Sequence, residues 1–184
     1  MVAMDKNITF RPALPADIAL LAGHHRQMFE EMRSLPTREN CCGPANNLSG
    51  FPLVFGQSPE TPTPDYNKLE AIMREKLTRQ MADGSCIAWL AESQNRPVAS
   101  GGISIISTVP VPEDPTLAIA FLHSVFTEKT LRGQGIASTI IDKLLDHCRK
   151  KGIKRVQLNA SQAGRSVYLK KGFQPLDNVM ICWL

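Results

Sequence analysis

A glycine-rich run at residues 132–138 constrains this chain most, because it lies between a strand-like segment and the clearest amphipathic helix of the sequence. The helix places Ile, Leu and Cys side chains on one face between residues 136 and 148. The first backbone amides of such a helix have no partners inside it, and the helix dipole adds about half a positive charge. Gly133 and Gly135 let an anion approach the backbone, and Arg132 adds a cation. The run therefore predicts a binding site for a diphosphate group.

Two common phosphate-binding motifs fit this run poorly. A Walker P-loop requires a Lys followed by Ser or Thr after its second glycine, and no such pair is present. A dinucleotide-binding fingerprint nearly fits residues 133–138, but it requires a tight turn directly after its strand and an acidic residue about 20 positions further on. Residues 155–159 contain no acidic residue. A third class of diphosphate-binding loop fits better.

The order of the segments predicts a chain of mixed strands and helices. Strands are predicted at residues 8–11, 86–92, 98–108, 117–126, 153–160 and 178–184, and helices at 15–32, 66–81, 136–148 and between Ser161 and Gly172. The three strands between residues 86 and 126 suggest an antiparallel meander, with residues 94–97 as a hairpin turn. Residues 34–65 are rich in Pro, Gly, Asn and Thr and show no periodicity. We expect one domain, residues 1–184, with an irregular insertion at about 34–65.

Composition argues against several kinds of partner. The net charge is +4 with both signs interspersed, and no basic stripe alternates with aromatic residues, so we expect no nucleic-acid partner. No stretch approaches the roughly 18 apolar residues of a membrane helix, so we expect no membrane partner. The five cysteines form an odd number without a C-x-x-C spacing. We therefore expect a cytoplasmic protein with reduced thiols and no metal centre.

A second block of sequence supports the glycine-rich run. Residues 160–173 read A-S-Q-A-G-R-S-V-Y-L-K-K-G-F. An R-x-x-G-x-A loop after a strand, with A-S-x-x-G-R-S-x-Y-x-x-x-G-F downstream, resembles the GNAT superfamily of acetyl-CoA-dependent N-acetyltransferases. The resemblance covers residues 88–184 well and residues 8–32 more loosely, whereas 34–65 matches nothing we can name. Ser166 replaces a common Asn and residues 127–129 lack a common Pro, but neither change removes a group that the phosphate site requires.

The resemblance implies an α/β (α+β) fold with a mixed central sheet that is splayed open near Thr127 and flanked by helices. It implies acetyl-CoA as co-substrate, with the pantetheine arm paired like an extra strand against the backbone of residues 125–127. It also implies that Tyr168 donates a proton to the departing thiol. His123 is a candidate general base, since some arylalkylamine acetyltransferases also carry a histidine at this place. The implied cofactor-binding residues are Val125, Phe126, Thr127, Arg132, Gly133, Gln134, Gly135, Ile136, Ala137, Ser138, Asn159, Ser166 and Tyr168.

The expected function is transfer of an acetyl group from acetyl-CoA to a primary amine of a small-molecule or peptide acceptor. Glu30 and Glu31, at the end of the first helix, could attract a cationic amine, although acidic residues at helix ends usually face solvent. Strand alternation places His123 on one face with Phe121 and Val125, where it could equally be a packed polar residue.

Two other functions stay open. The chain could be a non-catalytic acyl-CoA-binding or sensing module of the same fold, or a structural protein without a cofactor. The presence of both Tyr168 and a complete glycine-rich loop argues against the first of these. The acceptor, the acyl-chain preference and the oligomeric state, with a homodimer as one alternative, also stay open.

Overall fold

The computed structural model describes residues 7–34 and 63–176. In chain order its elements are β1 (Ile8–Pro12), a 3-10 turn (Pro15–Asp17), α1 (Ile18–Ser34), α2 (Tyr66–Ala82), β2 (Cys86–Ser93), β3 (Arg96–Ser107), β4 (Ala118–Thr127), a second 3-10 turn (Lys129–Leu131), α3 (Ile136–Lys150), β5 (Val156–Leu158) and α4 (Gln162–Lys170). The predicted strand at 178–184 and most of the predicted insertion lie outside the described residues. The predicted segments before residue 150 are confirmed within about two residues at their ends, except that the helix predicted from residue 15 begins as a 3-10 turn and is α-helical only from Ile18.

Local signals account for where several elements begin and end. The Asp65 side chain caps α2 by accepting a hydrogen bond of 2.9 Å from the amide of Lys68. Ser161 caps α4 in the same way, by accepting 3.2 Å from the amide of Gly164. Gln94 and Asn95 join β2 to β3 with φ values of 50° and 60°, the positive values that two-residue hairpin turns require. The predicted hairpin is therefore confirmed.

The sheet contains five strands in the order β1-β2-β3-β4-β5. The first four are antiparallel neighbours, which confirms the meander, and β5 pairs parallel to β4. The sheet is thus mixed, as expected. Strand β5 is shorter than the predicted 153–160, because only Val156–Leu158 pair with residues 120–122 of β4. Within the described chain, residues 123–127 of β4 have no β5 partner, so the sheet opens at this end of β4.

The described residues fall into two compact units. The first is drawn from Met1–Met28 and Asp65–Leu158 and contains all five strands with α2, α3 and most of α1. The second is drawn from Phe29–Pro64 and Asn159–Leu184 and contains α4.

Helices cover both faces of the sheet in the first unit. Helix α3 buries Ile140, Ile141 and Leu144 completely. A Cβ atom built on Gly101 of β3 would lie 2.8 Å from Ile140 Cγ2, so α3 approaches the sheet too closely for any larger residue there. On the other face, α1 and α2 contribute to a core cluster of Leu21, Ala22, Met73, Leu77, Cys86, Ala88 and Leu90.

A buried ion pair holds the start of β5 beside the β3–β4 connection. Arg155 donates a hydrogen bond of 2.6 Å from Nε to Asp114, whose side chain is only 3% exposed. The hydroxyl of Thr116 donates 2.6 Å to the same carboxylate. The Thr116 hydroxyl and then the Arg155 guanidinium lower the pKa of Asp114 to about 2. This contact anchors β5 against one end of β4 only, which leaves the other end open.

Candidate active site

The glycine-rich run forms an open backbone segment at the start of α3. Gly135 is the N-cap residue with φ +81°, and no side chain caps the first turn of the helix. Gly133 has φ +78°, and a Cβ atom built on either glycine would meet no described atom within 4 Å. Uncapped amides, a helix N-terminus and open space above two glycines suit a pyrophosphate group. Pyrophosphate binding by this loop stays a prediction, and the open backbone at Gly133 and Gly135 leaves room for it.

Arg132 connects this loop to the open end of β4. Its Nε donates a hydrogen bond of 2.8 Å to the carbonyl oxygen of Thr127, the last residue of the strand. The hydroxyl oxygen of Thr127 is buried and has no hydrogen-bond partner among the described residues. A buried hydroxyl without a partner is rare in a folded protein. It lies on the stretch of β4 that the pantetheine arm is expected to follow, so these residues fit the group.

A β-bulge interrupts β4 just before its open end. His123 pairs with Gly102 and Phe126 pairs with Ser100, so two residues of β4 oppose Gly101 alone. Ser124, the first of the two, has φ +54°, a value that residues other than glycine rarely adopt.

The bulge changes which side chains share a face. Val125 lies on the α3 side, 3.4 Å from a Cβ atom built on Gly101, whereas His123 lies on the opposite side, 3.3 Å from one built on Gly102. The expectation that His123 and Val125 share a face is therefore wrong. The physical reason is the extra residue of the bulge, which breaks the period-two alternation between these positions.

A small pocket lies on the side of the sheet that α1 and α2 cover. Its wall combines apolar side chains with the polar residues of the bulge: Leu21, Met73, Leu77, Ala88, Ser100, Gly101, Gly102, His123 and Ser124. Among the residues that line this pocket, His123 is the one that the sequence predicted as a site residue.

His123 belongs to a continuous line of hydrogen-bonded side chains. Its Nδ1 lies 3.0 Å from the hydroxyl oxygen of Ser124, which lies 2.8 Å from Nδ1 of His25 on α1. Its Nε2 lies 2.9 Å from the hydroxyl oxygen of Ser104 on β3, and Lys76 of α2 donates 2.8 Å to that oxygen. These side chains, from His25 to Lys76, form one polar chain that joins four elements of the fold.

Burial keeps the two histidines of this hydrogen-bonded line, His123 and His25, neutral. It lowers the pKa of His123 to about 3, helped by the nearby charges of Lys76 and then His25. Burial and then Lys76 lower the pKa of His25 to about 4. Burial also lowers the pKa of Lys76 from its ordinary value. Each protonation in this group opposes the next one, because all three side chains become cations when they gain a proton.

The other candidates lie in the second unit. The Tyr168 ring packs edge-on against Phe173 with a centroid distance of 5.8 Å, and burial raises the pKa of its phenol to about 12. Asn159 and Ser166 are exposed. Glu30 and Glu31 are half-buried on the last turns of α1.

Sequence reasoning missed most of the polar chain. His25 and Ser124 are 99 positions apart, and Lys76 and Ser104 are 28 apart, so no motif or periodicity connects them. The one available signal was the pair Gly101-Gly102 within a predicted strand, since glycines inside strands often mark a bulge or a close approach.

The described residues contain no group of three or more His, Cys, Asp or Glu side chains that could hold a metal ion. None of the described helices is both long and apolar enough to cross a bilayer.

Known proteins share this fold. A predicted acetyltransferase from Clostridium acetobutylicum, solved with acetyl-CoA, is 23% identical with a TM-score of 0.75, covering 96% of each chain. A GCN5-related N-acetyltransferase from Ralstonia eutropha is 20% identical with a TM-score of 0.75, covering 97% of this chain and 99% of its own. An aminoglycoside 6'-N-acetyltransferase from Acinetobacter haemolyticus is 14% identical with a TM-score of 0.60, covering 96% of this chain and 97% of its own.

Sequence comparison agrees with the fold. A search of curated protein sequences gave no significant match. Residues 60–181, about two thirds of the chain, match the model of the acetyltransferase (GNAT) domain. This match includes the glycine-rich run, the bulged strand and the second sequence block, and it confirms acetyl-CoA as the expected co-substrate. The chain therefore belongs to the GNAT family of acetyltransferases.

Proposed function

We propose that this protein transfers the acetyl group of acetyl-CoA to a primary amine of a small-molecule or peptide acceptor. One observation carries the proposal: the bulge in β4 lies beside both the glycine-rich loop and the hydrogen-bonded side chains around His123. The glycine-rich loop follows the open end of the strand, and the pocket with His123 and Ser124 lies on its α1–α2 side. The acetyl-CoA bound to the Clostridium protein supports the choice of donor. The N-acetylation named for two of the similar structures supports an amine as acceptor.

The proposed donor site uses backbone groups more than side chains. Residues 132–138 hold the pyrophosphate, with Arg132 as the cation, and the backbone of residues 125–127 holds the pantetheine arm. Asn159 and Ser166 complete the cofactor-binding set. Acetyl-CoA supplies an acetyl group activated as a thioester. A backbone amide in the bulged stretch of β4 can donate to the thioester oxygen as negative charge develops on it.

The acceptor must lose a proton before it can attack the thioester. A lysine-like amine with a pKa of about 10.4 is almost fully protonated at neutral pH, and deprotonation costs about 4 to 5 kcal/mol. His123 is neutral at pH 7 and so has a lone pair to accept a proton. With a pKa of about 3, however, it holds that proton only weakly. We therefore propose that His123 passes the proton on and does not retain it.

Tyr168 is proposed as the proton donor to the departing thiol. With its pKa raised to about 12, the phenol is fully protonated at neutral pH. Transfer from this phenol to a thiolate with a pKa of about 8.5 is uphill by about 5 kcal/mol, against about 2 kcal/mol for an unperturbed tyrosine. The transfer is thus transient, and the phenol regains its proton from solvent.

A screen of diverse primary amines tests the proposed function. We expect at least one amine to release free thiol from acetyl-CoA well above the rate of hydrolysis, with the acetylated amine identified by mass spectrometry. The screen includes aminoglycosides, polyamines, amino acids and peptides with free N-termini. Binding of acetyl-CoA without thiol release for any amine would instead favour the non-catalytic binding module.

Glu30 and Glu31 are proposed to attract a cationic acceptor. Changing both to Gln should raise the KM of that acceptor about fivefold, because an exposed charge pair contributes up to about 1 kcal/mol. The affinity for acetyl-CoA should stay unchanged. The matched control is Glu75→Gln, an exposed carboxylate on α2. Equal KM values for the wild type and the double variant would remove these carboxylates from the acceptor site.

A further inference from the structure

We propose that Lys76 is the end of a side-chain proton relay that starts at Ser124 in the pocket and passes through His123. The proposal rests on the proposed function, since the relay removes the proton of the acceptor amine. Lys76 acts through other residues, so it is a positioning residue in this reaction.

The hydrogen bonds around Ser104 determine the tautomer of His123. A serine hydroxyl has one proton and two lone pairs. Lys76 donates to one lone pair at 2.8 Å, and the proton goes to the Oε1 atom of Gln80 at 3.2 Å. The second lone pair is then available for His123 at 2.9 Å, which makes His123 the donor through its Nε2. Its Nδ1 consequently carries the lone pair.

The same direction continues into the pocket wall. With a lone pair on Nδ1, His123 accepts 3.0 Å from the hydroxyl of Ser124. The oxygen of Ser124 in turn accepts 2.8 Å from Nδ1 of His25. Both histidines are neutral in this arrangement, in agreement with their depressed pKa values. The protons between Ser124 and Ser104 therefore point away from the pocket, whereas His25 donates to Ser124 and Lys76 donates to Ser104.

Proton transfer along this chain is balanced at each step. The ammonium group of the acceptor gives a proton to the Ser124 oxygen, which gives its own proton to Nδ1 of His123. The hydroxyl of Ser104 turns from Gln80 to the neutral amine of Lys76 and gives it a proton, while Nε2 of His123 gives its proton to Ser104. One N–H bond is lost from the acceptor and one is gained by Lys76.

Lys76 suits the end of the relay better than His123 does. A transfer from one primary amine to another leaves one ammonium ion before the transfer and one after it. If His123 kept the proton instead, an imidazolium would form beside other basic groups. Burial lowers the pKa of Lys76, which increases its neutral fraction. The thiol of Cys86 on β2 opposes this only weakly, because burial keeps that thiol protonated. Lys76 is half-buried, so it can return its proton to solvent between turnovers.

Two substitutions separate a relay from a structural contact. Lys76→Arg keeps a cation that can donate to Ser104, but it cannot lose a proton at any working pH. Lys76→Met keeps the length of the side chain and removes both functions. With an acceptor identified in the amine screen, we expect both variants to lower kcat about a hundredfold with little change in KM. Lys68→Arg, at an exposed position of the same helix, is the matched control and should behave as the wild type.

The pH profile gives a readout that a structural role would not change. Wild-type kcat should rise with pH and level off near the lowered pKa of Lys76. Both Lys76 variants should continue to rise to the pKa of the acceptor itself, so their deficit should shrink as pH increases. A Lys76→Arg enzyme with wild-type kcat and pH profile would overturn the relay while leaving the proposed acetyl transfer intact.

The direction of the hydrogen bonds can be measured without turnover. Nitrogen-15 NMR of the imidazoles should show His123 protonated at Nε2 and unprotonated at Nδ1, neutral down to about pH 4. A His123 protonated at Nδ1 would reverse the chain and contradict the relay, whatever the outcome of the amine screen.

Discussion

Replacing Tyr168 by Phe is expected to lower the rate of acetyl transfer by about a hundredfold or more, the size expected for the loss of one general acid. The substitution removes only the hydroxyl. The ring keeps its edge-on contact with Phe173 and its packing against Gly164, so the local fold should survive. Acetyl-CoA affinity should hardly change, because the phenol acts only when the thiol departs.

The measurement must isolate the chemical step. Single-turnover conditions with a saturating acceptor are needed, since slow product release could hide a loss in chemistry. Because burial raises the pKa of Tyr168 to about 12, the wild-type rate should show no deprotonation of this group below about pH 11. Tyr66→Phe on the first turn of α2 is the matched control. A wild-type single-turnover rate in the Tyr168 variant would make water the better candidate for the donor.

Changing Arg132 to Ala together with Gly135 to Val is expected to abolish most of the stabilisation by acetyl-CoA. A ligand at 100 times its Kd adds about 2.7 kcal/mol to the free energy of unfolding, which thermal denaturation detects readily. The double variant loses the cation of the loop, and it places a β-branched side chain at a φ of +81°, where such residues are strained. The amides that are proposed to hold the pyrophosphate are then displaced.

A control with the same backbone strain separates binding from stability. Gly84 has φ +75° in the turn after α2, and a Cβ atom there also meets nothing within 4 Å. Gly84→Val combined with Arg149→Ala therefore introduces a similar strain and loses an exposed arginine outside the loop. This control should have a lower melting temperature without ligand but a wild-type increase on adding acetyl-CoA. An undiminished increase in the Arg132–Gly135 variant would place the cofactor elsewhere.

Features that depend on neighbours a few residues apart could be predicted from the amino-acid sequence. The starts of the helices next to Asp65 and Ser161 and the turn within residues 94–97 depend on groups within one or two turns of chain, so the local sequence predicted these helices and this turn. The proposed cofactor loop was recognisable for the same reason. Its cation, its glycines and its helix N-terminus all come from one contiguous segment, residues 132–138.

The positions of the candidate catalytic side chains depend on contacts between distant segments, so they could not be predicted in the same way. The bulge at Ser124 moved Val125 to the face opposite His123, because pairing with β3 on a common register left one extra residue in β4. Strand β5 pairs with β4 over three residues and not eight, since pairing depends on the course of its neighbour as well as on its own composition. The polar chain from His25 to Lys76 joins four elements, and burial among them, which no single segment specifies, keeps His123 neutral.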